Sequence, residues 1–256
     1  MFAARGGFLA QPVAAAGGFG NSAYWSGSST SAYWMGTTNA ATLINWKATT
    51  GYTIEYWFYA AGSLPASINP GPGLQDTTGT NYWTFGPIST GAVEMYFWTP
   101  GQSNIRTAAG AVLTNAWNNI CMVCTSTTES NTIVQIYVNG IRQNIQLNGG
   151  AFNGQQTATN PLQSDGATPF RWGVYGGSRF TNFYMDNLRV SNTNRYSGAS
   201  YSLATQPFVS DASTQLLVTC DGPNGSTVYT DGSSFNRTIT NNAGSIVISN
   251  THANHT

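Results

Sequence analysis

The chain of 256 residues carries nine basic and nine acidic side chains, 7% of the total against roughly 25% in an ordinary globular protein, while Tyr, Phe and Trp supply 13%. So aromatic a chain is not intrinsically disordered, and a balanced charge with one lysine, Lys47, lacks the cationic rows that track nucleic-acid phosphates. No apolar run approaches ~18 residues, so no segment reads as a membrane-spanning helix.

Taken in chain order, residues 1–20 (MFAARGGFLAQPVAAAGGFG) read as an extended arm, because Gly6, Gly7, Gln11 and Pro12 break what would otherwise be a leader's apolar stretch. Helical spacing is absent throughout. In YTIEYWFYA, Tyr52, Ile54, Tyr56 and Phe58 alternate with Thr53, Glu55, Trp57 and Tyr59, so a strand is expected with bulk on both faces. Further strands are expected over 81–85, 92–98, 117–125, 132–139, 141–147, 170–175, 180–190, 215–220, 237–240 and 245–249. Residues 61–79 and 148–169 read as long surface loops rich in Gly and Pro. Asn139-Gly140, between VQIYV and IRQNIQL, marks a tight hairpin, since both residues tolerate the positive φ of a type I′ turn. The pattern is all-β: a two-sheet antiparallel sandwich or jelly roll. Its bounds are 21–204, with the arm before it and a hairpin segment over 205–256 that completes or decorates it.

Three segments then carry a family resemblance: TIEYWFY with Glu55 and Trp57; WNNICMV with Trp117, followed by IYVNG with Asn139 and Gly140; and MDNLRVSNTNRYSG with Asp186. In this order they resemble the strands of laminin-G-like domains. The chain is identified as a member of the concanavalin A-like lectin/glucanase superfamily, and the resemblance implies a jelly roll in which these six residues are structural. The stretch QLLVTCDGPNGSTVYTDGSSFNRTITNNAGSIVIS is similar to a segment found beside such domains in phage virion proteins.

The catalytic branch of that superfamily uses clustered carboxylates. Glu55, Glu94 and Glu129 each stand alone, leaving Glu94 as a lone acid to test. The two histidines, His252 and His255, fall in the last five residues, where a frayed end is expected and no triad base is well placed. No enzyme is expected. Calcium is the cation the resemblance implies, with Asp221 and Asp231 as candidate ligands, although Asx turns explain both more simply. Trp83, Tyr96 and Trp98 are the candidates for stacking on sugar rings, against the alternative that they fill the core. Cys121, Cys124 and Cys220 read as buried thiols, with neither a zinc set nor a disulfide framework.

A neutral, hydrogen-bonding surface at net zero charge associates readily. With the tail resemblance, this leads to the expectation of a non-enzymatic virion structural protein, assembled in a host cytoplasm. It would serve as capsid decoration or a tail-fibre component, docking on other virion proteins and on copies of itself. The alternative is a carbohydrate-binding adhesion module that recognises a host glycan.

Overall fold

The computed structural model describes residues 20–26, 33–37, 43, 51–65, 70–75, 82–97, 103–128, 131–159, 169–174, 182–242 and 246–254. Among them, strands β1 to β9 are Gly20–Trp25, Tyr33–Thr37, Tyr52–Ala60, Gly73–Gln75, Tyr82–Pro87, Val93–Phe97, Ser103–Thr107, Trp117–Thr128 and Asn131–Val138. Strands β10 to β17 are Ile141–Arg142, Ile145–Leu147, Gln156–Thr159, Phe170–Val174, Phe183–Ser191, Thr214–Val218, Thr240–Asn241 and Val247–Asn254.

They form two antiparallel sheets, so the sandwich expected from the sequence is the observed architecture. The nine-stranded sheet runs β10-β9-β8-β3-β14-β1-β17, with β12 on β9 and β15 on β14; the eight-stranded sheet runs β11-β7-β6-β5-β4-β13-β2-β16. The core lies between them. From β3 it takes Tyr52, Ile54, Tyr56 and Phe58, and from the facing sheet Trp83, Phe85, Met95, Ile105, Phe170 and Trp172. At the β9–β10 turn Asn139 has φ 50° and Gly140 φ 76°. A Cβ at Gly140 would lie 2.4 Å from the Tyr201 carbonyl oxygen, so the turn is also pinned from above.

Strand β3 is bulky on both faces because its outward face is covered as well. The residues after β14 cross that face of the nine-stranded sheet, where Tyr196 and Tyr201 stack at 3.7 Å and tilt against Tyr137. Beneath this cover Glu55 accepts hydrogen bonds from Arg189 Nε (2.9 Å) and Nη2 (2.7 Å) and from the Tyr196 hydroxyl (2.9 Å). A β-bulge makes the pairing: the β14 register passes from Asp186 opposite Trp57 to Arg189 opposite Glu55, so Asn187 and Leu188 together face one residue of β3. The extra residue turns Arg189 onto the Glu55 side and Leu188 into the core. Asp186 holds the bulge by accepting from Asn187 N (2.7 Å) and Nδ2 (2.9 Å), and Asn187 Oδ1 in turn accepts from Phe208 N. Trp57, Trp117 and Tyr184 form a separate apolar cluster on the same outward face.

Several local expectations need correcting. The stretches read as loops contain strands: β4 lies within 61–79 and β12 within 148–169. Strands β1, β2 and β7 carried no sequence expectation. Of the expected arm, only Gly20 is among the described residues, and it opens β1. Residues after 205 contribute to both sheets, since β15 pairs with β14, β16 with β2 and β17 with β1. The expected fraying at the histidines is replaced by a strand reaching Asn254, in which His252 stacks on Tyr59 at 4.1 Å and meets the edge of Tyr184 at 4.5 Å. His255 lies outside the described residues.

Candidate functional site

With so few charges in the chain, their placement is informative. Glu55, Arg189, Arg195 and Asp211 are tied together over the nine-stranded sheet. On the eight-stranded sheet, strict alternation sorts a second group. Trp83 and Phe85 of β5, Val93, Met95 and Phe97 of β6, Ile105 of β7, and Phe170 and Trp172 of β13 enter the core. Thr84, Glu94, Tyr96, Asn104, Arg106 and Arg171 therefore stand on the opposite, outward face.

The cross-strand registers align these residues in rows. One row reads Thr240, Gly36, Arg171, Gly73, Thr84, Tyr96, Asn104 from β16 to β7. A second reads Gly86, Glu94, Arg106, Gln146 from β5 to β11. At ~4.8 Å per strand the first row extends roughly 29 Å. Glycines flank Arg171 on both neighbouring strands. Gly73 is bare of necessity, because a Cβ there would sit 2.2 Å from the Trp83 carbonyl oxygen. In this row β2 and β4 contribute two buried glycines, whereas half-buried Thr84, Tyr96 and Asn104 stand on β5, β6 and β7.

Electrostatics follow from this partial burial. Desolvation pushes the Glu94 carboxyl above its usual range, and Arg106 opposite offsets part of that rise. Tyr96 is raised by desolvation first and by the Glu94 charge second. Arg106 is steadied on its other side by Gln146, whose amide oxygen accepts from Nε (2.8 Å) and Nη2 (3.2 Å) while its NH2 donates to the Gly150 carbonyl (3.0 Å). At the β7 edge, Asn104 N donates to Asn148 Oδ1 (2.8 Å).

The sequence candidates separate cleanly. Tyr96 and the lone acid Glu94 are on this face. Trp83 is a correction: it is 1% exposed, its ring tilted against Phe170 in the core, so it offers no face to a ligand. Trp98 lies outside the described residues. Asp231 is also corrected. Both its oxygens are taken by protein donors, Oδ1 by Leu217 N and Ser233 N, Oδ2 by Ser233 Oγ and Arg237 N. Asp221 is bonded by Thr219 and the Asn21 backbone. Among the described residues no three His, Cys, Asp or Glu side chains converge to hold a metal, and the Asp231 oxygens, each already accepting two hydrogen bonds, are committed to the protein. Among the described residues Glu94 is the only carboxylate that the registers place on this face, whereas glycoside hydrolysis needs two within roughly 5–10 Å. Arg171, Arg106, Thr84 and Asn104 escaped the sequence reading. The one available signal was local alternation, a lone Arg between Phe170 and Trp172.

A laminin G family model of the concanavalin A-like lectin/glucanases superfamily matches residues 28–198, and the chain belongs to that superfamily. A Bacteroides ovatus protein described as carbohydrate binding superposes with a TM-score of 0.50 at 17% identity, over 87% of this chain and 58% of its own. This chain therefore spans little more than half of that protein. The CBM40 module of the Ruminococcus gnavus IT-sialidase gives 0.40 at 11% identity, over 63% of this chain and 90% of its own. Domains LG4-5 of the mouse laminin α1 chain give 0.39 at 13% identity, over 72% and 46%. No curated protein matches the chain. These structural likenesses are likenesses of fold.

Proposed function

We propose that the chain is a non-catalytic, lectin-like module that holds an extended glycan along the outward face of the eight-stranded sheet. The observation that carries the reading is the succession of half-buried, outward-facing Thr84, Tyr96 and Asn104 on the adjacent strands β5, β6 and β7. Tyr96 supplies an aromatic surface for a sugar's apolar face, and the Thr84 hydroxyl and Asn104 amide supply hydrogen bonds. Superfamily membership and the description of the Bacteroides ovatus protein support a binding role. The test is a glycan array repeated with calcium and with chelator. Tyr96→Ala is expected to weaken binding about tenfold or more, equivalent to ~1.4 kcal/mol, with an unchanged melting temperature and no calcium dependence. An unaltered array profile in Tyr96→Ala would remove this face from the reading.

A second reading, a virion structural component, draws on the exposed apolar side chains of the C-terminal segment. Val209 (77%), Val228 (71%) and Phe235 (50%) are all solvent-facing on a chain without net charge. On this reading the module docks on neighbouring virion proteins or on copies of itself. Sedimentation of the purified protein decides for self-association, and a monomer at all concentrations counts against that form of it.

A further inference from the structure

The placement of charge sets which surfaces meet when copies of the chain dock on one another, and such a contact presupposes the self-association of the second reading. Most charged side chains among the described residues are matched inside the fold. Glu55, Arg189, Arg195 and Asp211 form one network, Glu94 faces Arg106, and the Asp231 charge offsets that of Arg237. Arg142 and Asp221 enter no ion pair among the described residues, and they stand towards opposite ends of the nine-stranded sheet. Arg142 belongs to β10, the strand at one end. Its half-buried guanidinium reaches the Tyr137 phenol and lies over Gly154, where a Cβ would sit 3.6 Å from Nε. On this edge Ile141 (49%) and Phe152 (46%), two residues before Gly154, are exposed. Towards the other end, exposed Asp221 stands beside β1, where a Cβ at Gly20 would be 2.2 Å from its Oδ1. The loop it opens is fastened along β17, with Gly225 N donating to the Ile248 carbonyl (2.7 Å) and Ile248 N to that of Ser226 (2.8 Å). That loop presents Val228 to solvent.

From β10 to β1 is five strand steps, roughly 24 Å at ~4.8 Å per strand. Two copies meeting by the same end would set Arg142 against Arg142, or Asp221 against Asp221, and like charges across a contact repel. Unlike ends attract, and a chain with no net charge adds no long-range repulsion. The β10 edge is not open for strand addition, because Arg142 N already donates to the Ala199 carbonyl (2.9 Å) and Ile141 bridges Ser200. Side chains must therefore make the contact, a guanidinium and a carboxylate flanked by the exposed apolar groups on each side. We infer that copies of the chain associate head to tail, with Arg142 on the β10 edge of one copy against the Asp221 loop of the next. A contact between two different patches leaves one of each free at the ends, so the assembly extends unless it closes into a ring.

The experiment is sedimentation velocity of the full chain over a range of concentrations, at low and high salt. The expected result is a series of species that grows past the dimer with concentration and shrinks as salt screens the ion pair. Arg142→Glu alone and Asp221→Arg alone should each weaken association about tenfold or more. An equimolar mixture of the two variants should associate again, because each supplies the end that the other lacks. Asp221→Asn, which keeps a side chain able to meet Thr219 and the Asn21 backbone, should weaken association with an unchanged melting temperature, so a folding defect in Asp221→Arg does not decide the matter. Variants that associate as the wild type does, or a mixture that stays dispersed, would overturn the head-to-tail contact and leave self-association through another surface. A particle that stops at two copies would mean a symmetric pair and overturn it as well. A wild-type chain that is monomeric at every concentration would remove self-association itself and leave the glycan-binding face untouched.

Discussion

Glu55→Ala is expected to lower the stability of the chain by about 3–5 kcal/mol, the range found when one partner of a buried ion pair is removed. The Glu55 side chain is 1% exposed and that of Arg189 11%. Deleting the carboxylate strands the Arg189 guanidinium over the Phe208 ring, 4.1 Å away, and leaves the Tyr196 hydroxyl without its acceptor. Urea unfolding followed by tryptophan fluorescence is the measurement, since Trp57 lies two residues along the same face of β3. The double variant Glu55→Met with Arg189→Met should recover much of the loss, because the cost comes from a lone buried charge. A Glu55→Ala cost below about 1 kcal/mol, the range of exposed pairs, would mean that water reaches this cluster. Acid titration offers a second readout. Hydrogen bonds from Arg195 hold the Asp211 carboxyl well below its usual value of 3.8. Its folded pKa is depressed, so its contribution is fully present above the unfolded value and declines as pH falls through the folded one. Because the Asp211 side chain is about half exposed, its pair with Arg195 should give a shallow decline, well short of the Glu55 effect.

The elements legible in the sequence are those whose signal is local. Strand β3 announces itself by period-two alternation, and the β9–β10 hairpin by Asn139-Gly140. The same alternation also bears on the site. Trp83 shares its parity with Phe85, and Glu94 and Tyr96 share theirs against Val93, Met95 and Phe97, so one aromatic goes to the core and the other to the surface. Short strands inside Gly- and Thr-rich stretches carry no such pattern. Gly73–Gln75 and Gln156–Thr159 are extended because β5, β13 and β9 pair with them, which is a property of distant residues. The same distance conceals Arg171. Its glycine neighbours, Gly36 and Gly73, are far away in the chain, and only the register brings them alongside. The both-sided bulk of β3 was visible, but its cause, a covering segment fastened to Glu55, was not.

Asp231→Ala is expected to cost roughly 3 kcal/mol, since each buried donor left without an acceptor costs about 1–3 kcal/mol, reduced where water can enter. The carboxylate is 4% exposed and accepts from three backbone N–H groups, those of Leu217, Ser233 and Arg237, and from the Ser233 hydroxyl. The damage should be regional. Leu217 belongs to β15, which extends the nine-stranded sheet, whereas Ser233 and Arg237 belong to the loop leading to β16 in the other sheet, so Asp231 joins the two through one side chain. Hydrogen exchange should show lost protection at these three amides while β3 and β8 stay protected, because subglobal opening follows the weakest contacts. Asp231→Asn keeps one carbonyl oxygen and should lose about half as much. The same measurements separate this anchoring role from cation binding. With both oxygens occupied by protein donors, calcium should leave the wild-type melting temperature where it is. A rise on adding calcium that disappears in Asp231→Ala would assign the residue to a metal site instead.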